Sequence, residues 1–183
     1  INRVLINNEK STGVTTFFIN EKMDAGEIIM QKEILLTSGT TAGQLHNICL
    51  KEGKKILNSS IEKIAANKIN SRIQSTSQVL KTAPKLTKDL TKIDWSKSAK
   101  NIHDLIRGLS PYIDDRSILK DTSICPSAWF YLKYPNGSTR RIKIQHSTIE
   151  KDNSGKNLSI LTDNSTFLKI ILNDSAPVSY THL

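Results

Sequence analysis

Val14-Thr15-Thr16-Phe17-Phe18-Ile19, then Lys22-Met23-Asp24-Ala25-Gly26, then Ile28-Ile29-Met30-Gln31-Lys32-Glu33-Ile34-Leu35-Leu36: the pattern that decides the fold lies in residues 14–36. The first run is β-branched and aromatic, which suits a pleated, half-buried strand. The third is a second strand with apolar ends. The loop between them carries a glycine, Gly26, that lets the backbone turn tightly. On spacing alone Asp24 is a turn-forming residue ahead of Ala-Gly. Set between two strands, it is also a carboxylate displayed on a loop.

A helix follows. Thr41 and Gln44 have capping-box spacing, in which hydroxyl and amide each satisfy a free backbone N–H. Leu45, Ile48, Cys49, Ile56, Leu57, Ile61 and Ile64 recur on one face, and Lys51, Glu52, Lys54, Lys55, Glu62 and Lys63 lie largely on the other. Asn67-Lys68 closes the helix. Its apolar stripe calls for a sheet larger than two strands. Ile1, Val4, Leu5 and Asn8 read as the end of a helix, and the chain does not open on Met. Together these features predict that sequence upstream of Ile1 is missing.

Beyond the helix, the polar stretch 73–92, with Pro84, reads as a basic linker. A new unit, 93–183, starts at Ile93-Asp94-Trp95. Ser96 or Ser98 caps a second helix with Ile102, Leu105, Ile106 and Leu109 as its stripe, ended by Gly108 and Pro111. Pro135-Asn136-Gly137 sits between Trp129–Leu132 and Ile142–Ile144, a hairpin signal. Asp163-Asn164 marks a second hairpin between 158–161 and 167–172. Four or so short strands after one helix suggest a small barrel of OB type.

The net charge is +9, and residues 81–145 hold most of the excess, with 13 Lys/Arg against 6 Asp/Glu. That favours a polyanion such as RNA, with a solvated basic face as the alternative. Lys81, Lys85, Lys88 and Lys92 line the linker. Arg140, Arg141 and Lys143 share one strand, with Arg141 and Lys143 on the face opposite Ile142 and Ile144. Arg107 ends the second helix, where it either reaches phosphate or ties the helix to the domain junction. His46 falls at the rim of its helix's stripe, and His103 at an exposed helical position. Cys49 and Cys125 stand far apart with no partner at metal-ligand spacing, so no metal and free thiols are expected. No apolar run approaches the ~20 residues of a membrane helix. The expectation is a cytoplasmic, monomeric protein with no membrane partner.

Several stretches resemble the methionyl-tRNA formyltransferase family. In the first half they are Glu9-Lys10-Ser11-Thr12-Gly13-Val14-Thr15, Met23-Asp24-Ala25-Gly26-Glu27-Ile28-Ile29 and Thr41-Ala42-Gly43-Gln44-Leu45. In the second they are Ala83-Pro84-Lys85-Leu86, Lys92-Ile93-Asp94-Trp95 and Ile106-Arg107-Gly108-Leu109-Ser110-Pro111-Tyr112. The first group is shared by many folate-dependent formyltransferases; the second is narrower. The resemblance thins after about residue 145. It departs at 113–126, which looks like an insertion, and at 178–183, where the expected closing strand does not continue.

The resemblance implies an α/β fold: residues 1–72 as the C-terminal part of a doubly wound catalytic domain, then the linker, then an OB-like tRNA-binding domain. It implies formyl transfer from 10-formyltetrahydrofolate to the methionine amine of initiator methionyl-tRNA. Such enzymes use an Asn, a His and an Asp, of which only the Asp is matched here, by Asp24. The same resemblance places the pterin ring near the backbone of Lys22 and Met23. For the tRNA that the resemblance implies, positive charge within reach of phosphates makes Lys81, Lys85, Lys88, Lys92, Arg107, Arg140, Arg141 and Lys143 the candidate contacts, with a merely solvated role as the alternative for each. With the Asn and His unmatched, residues 1–183 are expected to be inactive alone. Two alternatives stay open: a formyltransferase acting on an amino-sugar nucleotide, and a non-catalytic RNA-binding OB module.

Overall fold

The computed structural model describes residues 1–75, 81–114, 116–121, 123–150, 159–163, 168–172 and 176–179, with 159 and 176–179 described by backbone only. Among the described residues four helices run in chain order: α1 (Asn2–Ile6), α2 (Ala42–Ala65), α3 (Lys88–Thr91) and α4 (Ala99–Leu109). Eight strands join them among the same residues. Two lie before α2, β1 (Ser11–Phe17) and β2 (Ile28–Leu35). The rest follow α4: β3 (Ala128–Lys133), β4 (Thr139–Ile144), β5 (Ser147–Glu150), β6 (Ser159–Thr162), β7 (Leu168–Ile171) and β8 (Ala176–Ser179). Contacts divide the chain into two units. One holds Lys10–Thr37 and His46–Pro84; the other holds Ile1–Glu9, Ser38–Leu45 and Lys85–Leu183.

In the first unit β1 and β2 form an antiparallel hairpin, with Ser11 opposite Leu35 and a register shift between Thr16 and Phe17. Arg72 adds a bridge to Ile28. Thr16 Oγ1 and Ser60 Oγ lie 2.7 Å apart, joining the hairpin to α2. The helix stops as its sequence demands. Asn67 takes a left-handed φ of 53°. Lys68 N–H then reaches back to Lys63 O and Asn67 N–H to Ile64 O, closing orphan carbonyls. Ile34 and Ile56 are buried, whereas Ile48, Leu57, Ile61 and Ile64 of the expected stripe are exposed.

In the second unit the capping box forms: Thr41 N–H bonds Gln44 Oε1 at 3.0 Å and Gln44 N–H bonds Thr41 Oγ1 at 3.1 Å. Ser98, not Ser96, caps α4. Ile102, Ile106 and Leu109 of α4 pack with Ile93, Ala128, Phe130, Ile144, Ile170 and Leu172 into an aliphatic core. Trp95 meets Phe130 edge-on, ring centroids 5.2 Å apart. Gly108 lies within α4 rather than ending it. A Cβ there would sit 2.7 Å from Ile6 Cγ1, so its absence lets α1 approach α4.

The strands after α4 number six among the described residues, not four. β3 pairs with β4, and a separate sheet runs β5-β8-β7-β6. A closed barrel needs every strand paired on both sides. Here the ladders leave β3, β4, β5 and β6 as edges among the described residues, so the expected OB-like closure is not seen. β8 is a strand where the sequence pattern predicts none, pairing with β5 and β7. Missing alternation hid it, since Ala-Pro-Val-Ser shows no strand pattern. The turn of the second expected hairpin, at Asn164, and the tail from Tyr180 lie outside the described residues. α3, capped by Thr87, was hidden inside the stretch read as linker.

Candidate functional site

The loop from Phe18 to Glu27 connects β1 and β2, closed by a 3.0 Å bond from Phe18 N–H to Glu27 O. Its packing is tight at one point. A Cβ on Gly26 would lie 1.5 Å from Phe18 O, so no other residue fits without moving the chain. Asp24 sits at φ 53°, a left-handed conformation that Asp tolerates better than most residues. Its side chain is exposed. Lys22 N–H bonds Asn20 Oδ1 at 3.0 Å, an Asx turn that shapes the approach to Asp24. Met23 is 92% exposed.

Sequence reasoning missed the residue that braces this loop. Gln74 Nε2 donates to Asp24 O at 2.9 Å and to Gly26 O at 2.8 Å. Two carbonyls on either side of Ala25 are thereby held by one amide. Gln74 lies in a polar stretch with no periodicity, so nothing local marks it.

The basic residues fall into three settings. Lys81, Lys85 and Lys88 are exposed along the chain leading into and through α3. Lys92, Arg141 and Lys143 gather around the outward face of the β3–β4 hairpin. Register puts Trp129 opposite Lys143 and Tyr131 opposite Arg141. The Arg141 guanidinium lies 4.3 Å over the Trp129 ring, and Lys92 Nζ lies 5.9 Å from both the Trp129 and Tyr131 rings. Arg140 points to the opposite face, 6.0 Å over the Tyr134 ring.

Arg107 differs from all of these. It is 4% exposed. Its Nε bonds Asp104 Oδ1 at 2.7 Å, Nη1 bonds Thr40 O at 3.1 Å, and Nη2 reaches Leu5 O at 3.2 Å. Buried and bonded to protein partners in this way, the guanidinium is a structural tie and not the surface cation expected, so the tRNA contact assigned to Arg107 is withdrawn. It ties α4 to the segments at Leu5 and Thr40, the structural alternative.

His103 is likewise not the exposed residue expected. Its Nδ1 lies 3.0 Å from Ser147 Oγ and its Nε2 3.3 Å from Ser38 O. A carbonyl only accepts, so Nε2 carries the proton and Nδ1 accepts from Ser147. Burial pushes its pKa below the usual 6.5, partly countered by the bond to Ser38 and by Asp104. His103, His146, Lys100 and Ser147 line a cavity of about 500 Å³. Apart from Arg107, none of the residues expected in the site borders it. Burial raises the Cys125 thiol to about 11, which keeps it protonated. No cluster that could hold a metal occurs among the described residues, and no helix among them is long and apolar enough to cross a membrane.

Comparison with known proteins now gives this geometry a context. Residues 1–61 match the formyl transferase domain, and residues 85–176 match the formyl transferase C-terminal domain. The methionyl-tRNA formyltransferase of Flavobacterium johnsoniae is 40% identical over 136 residues, covering 74% of this chain and 39% of that protein. That of Protochlamydia amoebophila is 34% identical over 176 residues, covering 96% and 51%. The chain thus spans about half the length, or less, of these relatives. Among solved structures, the sugar 3N-formyl transferase WlaRD aligns with a TM-score of 0.67 at 23% identity, over 99% of this chain and 58% of that one. HypX from Aquifex aeolicus, solved with tetrahydrofolic acid, aligns with a TM-score of 0.67 at 16% identity, over 97% and 28%. These two likenesses carry the fold alone. With the two domain models matched in chain order across most of its length, the chain belongs to the formyl transferase family.

Proposed function

We propose that this chain serves the transfer of a formyl group from 10-formyltetrahydrofolate to the amino group of methionine on initiator tRNA, in translation initiation. The names of its curated relatives support the acceptor, and its basic residues at 81–145 favour an RNA over a nucleotide-sugar. One observation carries the catalytic part: an exposed carboxylate, Asp24, on a hairpin loop packed tightly at Gly26 and braced by Gln74.

The loop suits a folate in its own chemistry. Met23 offers a flat ring an uncovered apolar side chain, and Asp24 beside it offers a hydrogen-bond acceptor. The donor supplies the activated one-carbon unit. Lys22 and Met23 bind and orient it, and Asp24 handles the proton. As the acceptor amine bonds to the formyl carbon, negative charge grows on the formyl oxygen; the bond from that carbon to the donor nitrogen then breaks and tetrahydrofolate leaves, its nitrogen taking up a proton as the amine loses one. Asp24 takes that proton directly or orients the group or water that does, and the left-handed backbone at Asp24 sets where its carboxylate is presented.

Lys81, Lys85, Lys88, Lys92, Arg140, Arg141 and Lys143 form the proposed tRNA set, acting on phosphates through charge. A monomer in the cytoplasm and a barrel-like arrangement of the six C-terminal strands belong to the same proposal. The barrel is supported by the succession of short strands after α4.

The test is Asp24→Asn in the enzyme that carries this sequence. Asn keeps the left-handed backbone and the side-chain shape while removing the charge. Formylation of initiator methionyl-tRNA is expected to fall by at least about 100-fold, the usual scale for losing acid–base catalysis. A variant with wild-type turnover would show that Asp24 only closes a turn.

A further inference from the structure

We propose that the outward face of the β3–β4 hairpin is a stacking site for an unpaired nucleotide of RNA, with Tyr131 as its platform; this deepens the tRNA proposal and rests on it. Strand alternation puts Trp129, Tyr131, Lys133, Arg141 and Lys143 on this face, and Phe130, Ile142 and Ile144 on the other. The second set forms core with α4, which fixes the first set outward.

The two aromatic rings hold different positions. Trp129 is 7% exposed. Its Nε1 donates to Lys88 O at 3.2 Å and Thr91 Oγ1 at 3.0 Å, and Arg141 covers its face. It is a foundation. Tyr131 packs against it in a T-shaped pair, centroids 5.1 Å apart, and stays 57% exposed. More than half exposed, its ring is an available π-face with a cation at its border, Lys92 Nζ lying 5.9 Å from its centroid. Within the hairpin the charge on this face has one sign. No Asp or Glu occurs between Ala128 and His146, while Lys133, Arg141 and Lys143 share the face with Tyr131. Among the described residues, none of Lys92, Lys133, Arg141 and Lys143 enters an ion pair.

An exposed ring inside a cationic rim matches a ligand that carries a flat π-system and phosphates together. An unpaired nucleotide has both within one repeat. Its base stacks on Tyr131, and its flanking phosphates meet Lys92 and Arg141. A duplex presents the same phosphates but keeps its bases stacked inside, so it uses the rim and not the ring.

The test uses the enzyme that carries this sequence with two fluorescent probes, a single-stranded RNA of about ten nucleotides and a blunt RNA hairpin. Tyr131→Ala is expected to weaken single-strand binding roughly tenfold and to leave hairpin binding near wild type. Tyr131→Trp is expected to keep both. Arg141→Met is expected to weaken both and to flatten the salt dependence by about one unit, which Tyr131→Ala does not do. Equal losses on both probes, no loss on the single strand, or equally good displacement of the single strand by polyglutamate would each overturn the stacking site. Initiator tRNA binding and formylation are read on the same Tyr131→Ala protein. If stacking fails while both persist, the formyl-transfer proposal stands and this inference alone falls.

Discussion

Arg107→Met separates two roles that sequence alone left tied. The guanidinium is buried against Asp104, Thr40 O and Leu5 O, and Asp104 is itself 3% exposed. Removing it leaves a carboxylate in the interior whose remaining cation is Lys100, at 2.7 Å with its side chain 57% exposed. Lys100 softens the loss without cancelling it, because its charge is shared with water. Breaking one partner of a buried pair costs about 3–5 kcal/mol. Two backbone carbonyls lose a donor in addition, at about 1 kcal/mol or more each where water cannot replace it. With Lys100 still beside Asp104 and offsetting part of that sum, the expectation is a net loss of about 3–5 kcal/mol, a large part of the 5–15 kcal/mol typical of a domain. Urea denaturation of wild type and variant reads it directly. Asp104→Leu combined with Arg107→Met is expected to recover most of the loss, since no unpaired charge remains inside. Salt dependence of tRNA binding is expected to keep its slope in folded Arg107→Met. A variant with the wild-type urea midpoint and a slope reduced by about one unit would refute the structural role and return Arg107 to the RNA surface.

Gly26→Ala places a Cβ 1.5 Å from Phe18 O. It is expected to displace the Asp24 loop at a cost of about 1–3 kcal/mol and to abolish formylation while circular dichroism stays native; retained activity would show the loop to be uninvolved. Gln74→Ala removes two bonds to the loop, worth about 1 kcal/mol each. It is expected to lower kcat by about tenfold or less, a smaller effect than Asp24→Asn in the same assay. His103 is held below its usual pKa of 6.5 by burial. The unfolded chain therefore takes up the proton first as pH falls, so this contribution to stability is complete above pH 6.5 and is lost on acidification through the folded pKa. Melting temperatures from pH 8 to pH 5 are expected to drop more for wild type than for His103→Gln. A wild type that gains stability on acidification relative to the variant would reverse the assigned direction.

Local chemistry was legible wherever a residue's neighbours in sequence are also its partners in space. The Thr41–Gln44 cap, the Asn67 helix end, the β1–β2 hairpin and the Gly137 turn all follow from spacing, because each closes within a few residues. The Asp24 loop was visible for the same reason: two strands bracket it. What tertiary structure alone decided depends on contacts across long separations. Gln74 reaches Asp24 across 50 positions, and Arg107 reaches Leu5 across 102. Neither span leaves a periodicity to read, so a brace resembled linker and a buried tie resembled a surface cation. β8 was missed because its pairing, and not its composition, makes it a strand. The hydrophobic pattern says which face turns inward; only the assembled chain says which polar group that face needs as its partner.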